Sequence, residues 1–83
     1  MQAATVSTFM TDKFRTSIEF GLSRNEMDDT VGALVAFSEA RQTARLAADL
    51  APTRLRSAWI ARQNQATGYI NAAKRRIALL GVG

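Results

Sequence analysis

A chain of 83 residues with 47% apolar side chains makes one small domain, residues 1–83. Chains of this size bury only about 60–65% of their unfolded surface, so the stability margin is thin. The absence of cysteine and histidine excludes disulfides and leaves a zinc staple without its usual ligands; it also removes the commonest proton-transfer group and the thiol nucleophile.

Those exclusions predict a protein that is not an enzyme and uses no cofactor or metal, with oligomerisation as the remaining source of stability. The net charge of +4 is unevenly placed. Residues 1–50 carry five basic and seven acidic side chains, whereas residues 51–83 carry six basic and none acidic. A basic half predicts attraction to nucleic acid, to an anionic surface, or to the acidic half of a neighbouring copy. No segment approaches the ~20 unbroken apolar residues of a membrane span. The opening "MQAATVSTFM" lacks the basic start and apolar core of a signal peptide. Synthesis in the cytoplasm as a soluble chain is the expectation, and the final location (virion, exported or cytoplasmic) stays open.

The first segment, about 5–22, places Val6, Phe9, Met10, Phe14 and Ile18 on one broad face at 100° per residue, which predicts a short helix. The threonines and valine of "TVSTFM" leave its start open to an extended conformation. Gly21 is read as a left-handed stop.

The second helix is expected over about 25–50. In "SRNEMDD" Ser23 and Glu26 have capping-box spacing, Asn25 is a competing cap, and Glu26, Asp28 and Asp29 bring negative charge to the positive end of a helix. Along this helix Met27, Val31, Leu34 and Val35 share one face, Phe37, Ala40, Ala44, Ala47 and Ala48 take over another, and Leu46 and Leu50 point elsewhere. No single neighbour covers all three, and the alanines invite close approach of a second helix, so contact from more than one side is expected.

The third helix, about 53–80, has the clearest pattern. Leu55, Trp59, Arg62, Ala66, Tyr69, Ala73, Arg76 and Leu80 recur in steps of four and three, with Ile70 and Ile77 beside the same seam. Trp59, Tyr69, Ile70 and Ile77 are the expected contact anchors of a protein interface. Arg62 and Arg76 are its charged specificity elements, needing either exposed heads or carboxylate partners such as Glu39 and Asp49. In a self-contained three-helix bundle the same aromatics are simply core.

How the two longer helices meet depends on "DLAPTRLRS", which holds the only proline. A hairpin is normally announced by glycine, asparagine or several polar residues, and here the punctuation is only Asp49, Pro52 and Thr53. Both a helical hairpin and a rod bent at Pro52 fit, with a slight lean to the bend.

The fold class is therefore all-α, a short N-terminal helix followed by two longer helices meeting at Pro52. The expected function is self-association as a structural subunit of a homo-oligomer or larger protein assembly. The alternative is a small basic nucleic-acid-binding or regulatory protein, using Lys74, Arg75 and Arg76 as non-specific phosphate contacts. The basic residues are spread around the third helix and no helix-turn-helix spacing is evident, which ranks that alternative second. The small size, missing cysteine and helix-proline-helix layout resemble the needle subunits of type III secretion systems, whose helical hairpins stack into tubes. Those subunits have a longer, proline-bracketed polar turn than "DLAPTRL". In composition the chain is also similar to small helical virion proteins of tailed bacteriophages. Neither resemblance rests on a specific motif, so neither assigns a functional residue.

Overall fold

In the computed structural model, which describes the backbone of residues 2–82 and the side chains of residues 8–81, three helices run in sequence: α1 (Gln2–Glu26), α2 (Thr30–Leu50) and α3 (Thr53–Val82). The fold is all-α. Val6, placed by the sequence on the apolar face of the first helix, lies outside the described side chains.

α1 is longer than the sequence predicts. It continues through Gly21 to Glu26, so Gly21 is no stop and Ser23 no cap. The space above Gly21 is filled by the ring of Phe37 from α2; a Cβ there would come under 3.0 Å from three ring atoms. Gly21 thus serves close approach between helices, the second use of a residue without a side chain. Termination falls on Asp28. Its φ of 61° is left-handed, and the amides of Asp28 and Asp29 donate to the carbonyls of Asn25 (3.1 Å) and Arg24 (2.8 Å). This is the Schellman pattern, with aspartate in the place usually taken by glycine.

Asp29 then opens α2 at once. Its side chain accepts from the Gly32 amide at 2.9 Å, and its carbonyl accepts from Ala33 at 3.0 Å. Two consecutive aspartates therefore end one helix and start the next, which corrects the expected start near residue 25. Asp28 and Asp29 do sit at the positive end of α2, which starts five residues later than expected, whereas Glu26 is the last residue of α1.

At the other corner, Ala51 is extended (φ −76°, ψ 147°). A residue before proline is pushed out of the helical region by the proline ring, so α2 must end at Leu50. Pro52 follows, its carbonyl accepts from Leu55 at 2.9 Å, and α3 begins at Thr53. The chain turns back: Phe37 meets Tyr69 and Asp28 meets Arg76, so α2 and α3 are antiparallel. The connection is a hairpin and not a bent rod. The principal extents of 52 × 19 × 12 Å agree, since one helix over 25–80 would reach about 84 Å at about 1.5 Å per residue.

α2 is the middle helix, packed on both α1 and α3, which touch each other little. Its buried face is Ala33, Ala36, Phe37, Ala40, Ala44, Ala47 and Ala48, closed by Phe14 and Ile18 from α1 and by Trp59, Ala66, Ile70 and Ala73 from α3. Small side chains on the middle helix let both neighbours approach towards the short end of the ~8–10 Å packing range. Of the two buried threonines of α2, Thr43 is satisfied within its helix by the Glu39 carbonyl at 3.0 Å, whereas Thr30 lies at the first turn.

Because α3 is also held against α2 by packing, through Phe37 with Tyr69 and through Ile70 in the core, Pro52→Ala is expected to keep the hairpin and to change stability by less than about 1 kcal/mol, through the freedom of the unfolded chain. Spin labels at Val31 and Lys74, in protein diluted with unlabelled chain, should report a separation near two helix diameters, about 20–25 Å, in both variants. Lengthening towards the ~65 Å of a straight helix would contradict the hairpin.

Candidate interaction surface

The residues expected to anchor a partner are distributed unequally by the fold. Trp59 (3% exposed) and Ile70 (1%) are consumed by the core of their own chain. Trp59 and Phe14 meet edge to face with centroids 6.3 Å apart at 87°, a side-chain bridge from α3 to α1. Tyr69 is half-buried and stacks on Phe37 at 4.8 Å and 15°. Ile77 is half-buried near the end of α3. The seam read along α3 is real, but from Trp59 to Ala73 it faces α1 and α2.

The two seam arginines find different solutions. Arg62, half-buried, lays its guanidinium over the Trp59 ring, 4.4 Å from the centroid, covering one face of the indole. Arg76 donates to Asp28 at 2.8 Å. The acid that pairs with it is thus the left-handed corner residue and neither Glu39 nor Asp49. Sequence spacing missed this because the pairing joins residues 48 apart through the hairpin. With Asp28 at 86% side-chain exposure, the pair is screened and contributes about 0–1 kcal/mol. Lys74 and Arg75 are exposed.

The α1–α2 corner also gathers Arg24, whose Nε lies 3.2 Å from Asp29 Oδ2 as a contact of charges without hydrogen-bond alignment. Asn25 Oδ1 and Thr30 Oγ1 are buried beside it, with no hydrogen-bond partner among the described residues. No group of three or more acidic side chains with metal-holding geometry occurs among the described residues. No described helix is long and apolar enough to cross a membrane.

What the core leaves outside is the informative surface. On α2, Val31 (63%), Val35 (54%), Leu46 (45%) and Leu50 (69%) are exposed. At 100° per residue they fall within a sector of about 100°, together with Gln42, Glu39 and Asp49. That sector lies opposite the alanine face. The sequence pattern points Leu46 and Leu50 away from Val31 and Val35 and predicts contact on more than one side of α2; in the fold the four share one sector, and among the described residues nothing buries it. Elsewhere Phe9 and Phe20 on α1 and Met27 in the turn after it are exposed, and Leu79 and Leu80 are exposed on the last turns of α3, past the level of the α1–α2 corner.

Fold and surface define an all-α, three-helix protein whose core uses only part of its apolar side chains. No family model, curated protein or solved structure matches the chain.

Proposed function

We propose that this chain is a non-enzymatic helical assembly protein, a structural subunit of a homo-oligomer or larger particle. The observation that supports this is the aligned set Val31, Val35, Leu46 and Leu50, each about half or more exposed on one outer face of α2. Scattered surface leucines are ordinary, but two apolar pairs aligned on one outer face of a helix, on either side of Glu39 and Gln42, are a clustered surface of the kind that marks contact sites. Covering half of each side chain is worth roughly 1 kcal/mol, or about 8 kcal/mol over two copies. Association itself costs about 4–15 kcal/mol, so the contact between two isolated copies is weak, and repetition within a particle strengthens it. A virion or secretion-needle-like particle is a setting that supplies such repetition.

The test is sedimentation velocity over the low to high micromolar range. A concentration-dependent shift from monomer to larger species is expected. A compact monomer throughout overturns the reading.

Nucleic-acid binding is the second reading, favoured by the exposed Lys74 and Arg75 on a helix that has no acidic residue. It ranks lower because Arg76 is held by Asp28 and Arg62 by Trp59, which thins the basic set.

A further inference from the structure

The outer ridge of α2 has an internal symmetry that says how a second copy would sit on it. Val31 and Leu50 lie at its two ends, Val35 and Leu46 lie inside them, and Glu39 and Gln42 lie at the centre, each pair equidistant from the midpoint between Glu39 and Gln42. We propose that two copies of this chain pair through α2 as an antiparallel two-fold dimer whose axis passes that midpoint. The inference rests on the assembly reading and specifies one of its contacts.

In this register each of the four apolar side chains meets another, and the two central polar side chains meet each other, while Asp49 is level with Gly32 of the second copy. Val31 is level with Leu50 of the second copy, and Val35 with Leu46. At the centre the Gln42 amide donates to the Glu39 carboxylate of the second copy, and the two-fold makes this bond twice. A polar pair inside an apolar helix seam fixes register, because any slip leaves its members against the wrong groups. Sliding by one turn, about four residues, sets Leu46 against the Glu39 carboxylate in one direction and Val35 against the Gln42 amide in the other. A parallel pairing is disfavoured by charge, since it brings Glu39 onto Glu39 and Asp49 onto Asp49, whereas the antiparallel one separates both like pairs along the axis. The ridge is also sterically open. α1 and α3 reach each other through Phe14 and Trp59 on the opposite side of α2, so α2 stands as the crest of the molecule.

The absence of native cysteine makes a direct test simple. Val35→Cys and Leu46→Cys are prepared separately, one of them carrying a size tag, and exposed to a mild oxidant alone and mixed. In the antiparallel register residue 35 faces residue 46 of the other copy, while two residues 35 are about 16 Å apart along the axis. That is beyond the ~7 Å reach of a disulfide between Cα atoms. The mixed disulfide is expected to form at least about tenfold faster than either homodimer. Equal cross-linking of each variant alone overturns the antiparallel register. No cross-link where sedimentation still detects a dimer overturns this face while leaving the assembly reading intact; a monomer under all conditions removes both. Charge provides a second test on exposed positions that do not enter the core. Gln42→Glu sets two carboxylates together and should raise the dimer Kd at least about tenfold, equivalent to about 1.4 kcal/mol. Adding Glu39→Gln restores a carboxylate-amide pair in the reverse sense and should bring the Kd back to within about threefold of the parent. An unchanged Kd in the single variant, or no recovery in the double, overturns the proposal.

Discussion

Phe37→Ala is expected to remove about 3–5 kcal/mol of stability, the usual cost of deleting a fully buried phenylalanine. A domain of this length has about 4–12 kcal/mol in total, so the variant should be largely unfolded at modest denaturant or temperature. The magnitude follows from position. Phe37 is fully buried on the middle helix, its ring fills the space above Gly21 of α1, and its other face stacks on Tyr69 of α3. One side chain therefore touches both neighbours, in a core whose other α2 contributions are largely alanines too small to close the gap. Urea unfolding followed by circular dichroism measures the loss. A second substitution separates this account from a general sensitivity of the core. Gly21→Ala alone meets the ring and should be destabilising, although alanine is favoured over glycine in a helix by about 1 kcal/mol. In the Phe37→Ala background the same change should become stabilising, because the ring that opposed it is gone. Independent, additive effects would show that the helices are not held at this point.

The behaviour of Gly21 and Asp28 explains why the corners were only partly legible. Helix-stop reasoning relies on glycine because it visits positive φ freely, and here glycine occurs inside α1 while the left-handed residue is an aspartate. Nothing in the local sequence distinguishes those roles. The distinction depends on Phe37, sixteen residues onward, which needs a helix without a Cβ to pack against. The acidic cluster was recognisable as a helix start, but two overlapping cap patterns were available, and Ser23 lost to Asp29 because α1 was still running through it. At Pro52 the deciding fact was local and readable: the residue before proline avoids the helical region, so a two-residue connection suffices without glycine. The missing glycine favours a bent rod only while Ala51 is free to be helical, and its extended backbone removes that option.

The periodicity of α3 and the alanine face of α2 were plain in the sequence, because burial repeats every three to four residues on any packed helix. Periodicity shows that a face is covered without showing by what. Arg62 looked like an obstacle to a dry seam, and in the fold it is the lid over an aromatic ring. The outer ridge of α2 was the less visible feature. Its spacing is interrupted by Glu39 and Gln42, and a ridge becomes noticeable only after Phe37 and the alanines of the same helix are assigned to the core.

Trp59→Ala tests that division between core and contact surface, with an expected loss of about 3–5 kcal/mol. Were Trp59 mainly a partner-facing anchor, its removal would leave the isolated chain stable and weaken association alone. Its 3% exposure, its edge contact with Phe14 and the cover supplied by Arg62 predict the reverse order. The isolated chain should lose cooperative unfolding, since α1 and α3 have little other direct contact. Trp59→Phe should keep part of the stability by preserving an aromatic ring against Phe14 while shrinking the surface under Arg62. The parent protein permits a measurement without any substitution, because Trp59 is its only tryptophan. Its emission should be that of a buried indole, weakly quenched by acrylamide, and unchanged on dilution from high micromolar concentrations to those at which sedimentation finds only monomer. Emission that shifts to the red as the protein is diluted would mean that a second copy, and not Phe14, covers the ring, and would return Trp59 to the contact surface.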